Sequence, residues 1–112
     1  MSPSIGEARI RVPDRVARGD VIVVNAIISH PMDTGFFRNA DGQPIPAYFI
    51  KDVVITYGGQ EIARFTWTSG ISRDPIISFT LKAEREAPLA MVWTDNQGGV
   101  FKQSADIKFA SA

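Results

Sequence analysis

The sequence predicts an all-β protein, an immunoglobulin-like sandwich of about seven antiparallel strands. Three observations carry that expectation. Apolar residues recur at every second position, while the 3.6-residue repeat of an amphipathic helix is almost missing. β-Branched and aromatic residues crowd these alternating runs. Short turn signals separate them, as in two packed antiparallel sheets.

The strands follow in order. "ARIRV" puts Ala8, Ile10 and Val12 on one face and Arg9 and Arg11 on the other. "VARGD" reads as a turn, with Gly19 free to take a positive φ. "VIVVNAIIS" is β-branched and apolar on both faces except at Asn25, which predicts a strand covered on both sides, one by the core and the other by something else. In "AYFIKDVVITY", Lys51 and Asp52 interrupt the apolar run and predict a bend or bulge. Gly58-Gly59 marks a tight hairpin, after which Ala63, Phe65 and Trp67 share a face. "IISFTLK" alternates most clearly, with Ile77, Phe79 and Leu81 inward and Ser78, Thr80 and Lys82 outward. Leu89, Met91 and Trp93 form the next inward set. "DNQGG" turns the chain, and Phe101, Ala105, Ile107 and Phe109 complete the last strand with Gln103 a polar interruption.

The whole chain narrows the function classes. Its 112 residues make a single domain, 1–112, large enough to build a core without disulfides or metals. Twelve basic and twelve acidic residues balance, and the basic ones are scattered, so neither nucleic acid nor a membrane surface is an expected partner. Cysteine is absent, which removes thiolate chemistry and thiolate metal sites. The first residues lack the basic and apolar regions of a signal peptide, so none is expected.

Catalytic parts are missing. His30 is the one imidazole, and Pro31 holds it extended at a strand end, where a structural or interfacial role is expected. A metal at His30 would need further ligands, and Asp33 alone is weak support. Asp33, Asp41 and Asp95 sit in turn sequences where a carboxylate bonds nearby amides. Glu84 and Glu86 flank another turn, and no glycine-rich phosphate loop precedes a helix. No catalytic residue, cofactor or metal is expected.

The connection after Ser29, "HPMDTGFFRNADGQPIP", is the unusual segment. Hairpin loops need two to five residues, and connections beyond about a dozen are uncommon unless they act. Phe36 and Phe37 lie between Gly35 and Arg38 in this polar stretch. Either one ring plugs the open end of the sandwich, or both form an apolar patch rimmed by Asp33, Arg38 and Asp41 for a partner to cover. His30, Met32, Phe36, Phe37 and Arg38 are the candidate partner-interface residues.

"ARIRVPDRVARGDVIVVNAIISHPMDTG" resembles the first third of the SoxZ family, a subunit of the bacterial sulfur-oxidizing pathway. Similarity continues through "DGQPIP" and "ISRDPIISFTLKA" to "WTDNQGGVF", and Ile28 to Gly35 is its most specific part. Where the family usually carries a more basic stretch after the glycine, this chain has Phe36-Phe37-Arg38-Asn39; Ala47 stands where the family usually has arginine. The resemblance implies an immunoglobulin-like, non-enzymatic subunit that forms a heterodimer with a SoxY-like subunit. That partner's C-terminal cysteine carries the sulfur intermediates of thiosulfate oxidation, and the pair makes transient contact with other Sox enzymes. It further implies a periplasmic location, reached by export together with the signal-bearing partner. Self-association of the isolated chain stays open. The alternative is an unrelated sandwich that binds carbohydrate or serves adhesion, which should line up exposed aromatics on one sheet face.

Overall fold

A computed structural model describes residues 4–110; Met1–Pro3 and Ser111–Ala112, the ends of the expected domain, lie outside the described residues. The described chain forms seven strands: β1 (Ala8–Arg11), β2 (Val21–Ile28), β3 (Ile50–Tyr57), β4 (Gln60–Thr66), β5 (Ile76–Lys82), β6 (Ala87–Asp95) and β7 (Val100–Ile107). One sheet has the order β1-β2-β5 and the other β4-β3-β6-β7, with every pairing antiparallel. This is the expected immunoglobulin-like sandwich.

Alternation decides what each strand buries. Ile22, Val24, Ala26 and Ile28 of β2 point inward, as do Val53 and Ile55 of β3 and Leu89, Met91 and Trp93 of β6. Together they form one core cluster, against which Ile77, Phe79 and Phe101 pack half-buried. Burying each large aliphatic side chain is worth roughly 1.5–3 kcal/mol, so this double layer dominates the stability. The hairpin between β3 and β4 turns on Gly58 and Gly59, with φ of 59° and 82°, values that suit the turn geometry matching strand twist. The irregularity expected at Lys51-Asp52 is present as a register shift between Ile50 and Asp52 in the β3–β6 pairing. Lys51 is the residue the shift leaves without a partner in β6.

Two polar interruptions have local reasons. Gln103 donates from Nε2 to the Ala8 carbonyl at 2.9 Å, tying β7 to β1 where the two sheets meet. Asn25 accepts the Ser78 hydroxyl across the β2–β5 pair. The outer face of β2 departs from the expectation that it is covered: within this chain Val21, Val23 and Ile27 stand exposed.

The described chain measures 61 × 29 × 18 Å. An eight-residue strand spans only about 26 Å. Residues 29–49 connect β2 to β3.

A braced arm as the candidate functional site

Residues 29–49 are an antiparallel arm that pairs with itself. Asp33 and Tyr48 exchange two backbone hydrogen bonds, of 2.7 and 2.9 Å. Farther out the Ile45 N–H donates to the Phe37 carbonyl and the Asn39 N–H to the Gln43 carbonyl, each at 2.9 Å. The Asn39 side chain closes the tip, its Oδ1 accepting the Asp41 and Gln43 amides at 3.0 Å. Asn in this role replaces a backbone turn bond. The Arg38 guanidinium donates to the Gly42 carbonyl at 2.8 Å, so its hydrogen bonding serves the tip. Near the root the two legs come close. A Cβ on Gly35 would lie 3.2 Å from the Ala47 Cβ, and φ of +88° there also favours glycine.

The root is held from inside the protein. Pro31 fixes His30 in an extended conformation at the end of β2. The His30 N–H donates to Asp74 Oδ1, and the Asp74 N–H donates back to the His30 carbonyl, both at 2.9 Å. Nδ1 of His30 accepts the Met32 N–H at 3.2 Å. That bond places the ring proton on Nε2, which faces Asp95 Oδ2 at 3.4 Å. Tyr48, on the returning leg, packs its ring 4.4 Å from the imidazole. Burial pushes the Tyr48 phenol above its ordinary pKa, and the negative charge of Asp95 adds to the rise. Met32 in turn accepts the Ile50 N–H on its sulfur at 3.3 Å, joining the outgoing leg to the start of β3.

Met32 and Asp74 have positive φ, 51° and 50°, a conformation that costs a non-glycine residue free energy. Each is hydrogen-bonded to His30. The imidazole and its backbone therefore hold the two strained residues of the root in place.

The β6–β7 turn grips the other leg. Asn96 donates from Nδ2 to the Ala47 carbonyl and accepts the Phe49 N–H on Oδ1, both at 2.9 Å. Asp95 serves the turn as well, its Oδ1 accepting the Gln97 and Gly99 amides at 2.9 and 2.7 Å. Its turn role is readable locally in the sequence. Its role as the partner of His30 is not, because 65 positions separate them. The one sequence signal was "WTDNQGGVF" standing beside "ISHPMDTG" among the parts of a resemblance.

The five candidate residues thus divide. His30 and Met32 are buried and brace the root, Arg38 closes the tip, and Phe36 and Phe37 are 88% and 68% exposed. Neither ring plugs the sandwich end. On that ground a Phe36→Ser/Phe37→Ser chain should melt within a few degrees of the parent, since exposed substitutions usually change stability by less than about 0.5 kcal/mol. A large drop in thermal unfolding would contradict this placement.

Two mostly exposed aromatic rings on a two-stranded arm add little to the core, and such an arm is marginal by itself. Brace and rings together make a rigidly rooted apolar projection. Among the described residues no three His, Asp or Glu side chains converge on a point that could hold a metal ion.

The chain is similar in fold to several solved proteins. A variant of superoxide reductase (neelaredoxin) from Ignicoccus hospitalis superposes with a TM-score of 0.70 at 18% identity, covering 95% of this chain and 82% of that one. A variant of superoxide reductase (neelaredoxin) from Archaeoglobus fulgidus, in the reduced form, gives 0.60 at 19% identity, with coverage of 92% and 88%. The sulfur carrier protein SoxY from Chlorobium limicola f thiosulfatophilum gives 0.63 at 16% identity, with coverage of 93% and 79%. At such identities the likeness establishes the sandwich alone. No curated protein matches the sequence. The family model described as sulphur oxidation protein SoxZ matches residues 10–106, spanning β2 to β6 in full together with the arm and its brace. The chain belongs to the SoxZ family.

Proposed function

We infer that this chain is the non-catalytic subunit of a periplasmic sulfur carrier in thiosulfate oxidation, paired with a SoxY-like subunit whose C-terminal cysteine holds the sulfur. Membership of the family supports the pathway, and the arm supports the mode of action. The observation that carries the reading is the exposure of Phe36 and Phe37 on an arm braced by a buried His30–Asp95 contact. Large aromatic side chains held in position before binding are what interface anchors require. The chain has no cysteine, so a covalent sulfur intermediate belongs on the partner. Export bound to a signal-bearing partner fits the same division of labour. A carbohydrate platform is less well supported, because Trp93 is buried and Trp67 half-buried.

Co-expression with a SoxY-like subunit tests the reading. The two chains should co-elute as a heterodimer in size-exclusion chromatography. After exposure to thiosulfate and the pathway's enzymes, mass spectrometry should find the sulfur adduct on the partner and none on this chain. Separate elution, or a persulfide or thiosulfonate on this chain, would contradict the assignment.

A further inference from the structure

The outer face of the β1-β2-β5 sheet carries four exposed aliphatic side chains. Val21, Val23 and Ile27 of β2 are 69%, 55% and 40% exposed, and Ile76 of β5 is 66% exposed. They belong to one surface, because Ile27 stands opposite Ile76 and Val21 opposite Lys82 in the antiparallel register. A solvent-facing strand normally shows polar residues at these positions, and contiguous apolar patches mark contacts. The Asn25–Ser78 pair at the centre of the face is hydrogen-bonded within the chain through Asn25 Oδ1, so what covers it needs an acceptor only for the Asn25 amide nitrogen.

The charges on this face are uneven. Within the three strands the exposed charges are Arg9 and Arg11 on β1 and Lys82 at the end of β5, while the exposed acids Glu7, Asp20, Asp74 and Glu84 lie beyond the strand ends. A chain of zero net charge therefore places three cations and no anion on the strands of an uncovered apolar sheet face. Two copies packed through it would set like charges against each other, which is destabilising. An occupant with carboxylates around an apolar centre fits instead.

Size and position link this face to the arm. Strands of 4, 8 and 7 residues cover roughly 300 Å² from strand spacing and rise, less than half of the ~800 Å² per partner in a stable interface. The two arm phenylalanines can add about 150–250 Å² each. Ile27 and Ile76 lie at the end of the sheet from which the arm departs, and a shallow groove there runs past Arg9, Arg11, Asn25 and Ser29.

We propose that the outer face of the β1-β2-β5 sheet is the second part of the seat for the partner subunit, which meets it with an apolar surface bordered by carboxylates. The proposal rests on the function inferred above and adds the face and its charge rule. One partner covers the sheet face with its groove and reaches the arm. The arginines steer it, and the aliphatic patch holds it.

The test is calorimetric titration of the full chain with a SoxY-like subunit at low and moderate salt. Arg9→Glu/Arg11→Glu and Val23→Asp, all at exposed positions, should leave thermal unfolding nearly unchanged. Each should weaken binding by about tenfold or more, and the arginine reversal should also reduce the salt dependence. If the parent binds and both variants bind as tightly, the face is overturned while the function stands. If the parent fails to bind the SoxY-like subunit at all, the function falls and takes this proposal with it. A concentration-dependent dimer of the isolated chain that Val23→Asp abolishes would assign the face to a second copy. Binding to phosphatidylserine vesicles that the arginine reversal abolishes would assign it to a membrane. Either result overturns the proposal.

Discussion

Trp93→Ala should lower the stability of this chain by about 3–5 kcal/mol. Trp93 is 1% exposed, lies in β6 at the middle of its sheet, and sits opposite Val53 on one side and Phe101 on the other. Truncation removes the largest side chain of the core cluster, and its strand neighbours are held by the ladder and cannot collapse into the space. A domain of this size has only about 5–15 kcal/mol to lose. The melting temperature should fall by at least about 12 °C, at roughly 4–8 °C for each kcal/mol. A drop of only a few degrees would mean that the cavity closes and that the two sheets are not rigidly packed here.

Asp95→Ala should be comparably damaging for a different reason. The carboxylate faces the His30 imidazole and accepts the Gln97 and Gly99 amides. Gln97 is exposed and Gly99 partly so, and water can replace their bonds, whereas His30 is 1% exposed and its Nε2 proton is stranded. Removing a buried partner costs about 1–3 kcal/mol, and more where charge is involved. With two turn bonds weakened as well, about 3 kcal/mol is expected in total. The loss should also be directional. Hydrogen exchange at the Asp33 and Tyr48 amides, at the base of the arm, should accelerate more than exchange in β3 or β6. Asp95→Asn separates the two roles, because Oδ1 can still accept the turn amides. Its amide nitrogen cannot accept from Nε2, so the arm should loosen while the β6–β7 turn holds. Unchanged exchange at Asp33 and Tyr48 in both variants would show that the His30–Asp95 contact does not brace the arm.

The strands were legible because each is half buried, and half burial imposes a period of two on the sequence. The same rule exposed the β3 irregularity, since Lys51 and Asp52 break the alternation where the register shifts. It also marked the unusual outer face of β2, where Val21, Val23 and Ile27 stay exposed within the chain. The arm was legible only as an overlong connection. Its ladder joins a few backbone groups around Gly35, Gly42, Pro44 and Pro46, and neither leg rests on the core in an alternating pattern. The separation of buried His30 and Met32 from exposed Phe36 and Phe37 depends on tertiary contacts. Asp74 and Asp95 reach His30 from positions 44 and 65 residues away, and turn chemistry alone accounts for neither approach.

The affinity of a Phe36→Ser/Phe37→Ser chain for a SoxY-like subunit tests most directly the proposal that this protein works by docking through a braced arm. Both rings are exposed, so the fold should survive and any loss reports on binding. Calorimetry against the parent chain should show affinity reduced by about tenfold or more, or ~1.4 kcal/mol, if the rings are anchors. Equal affinity in parent and variant would contradict the account.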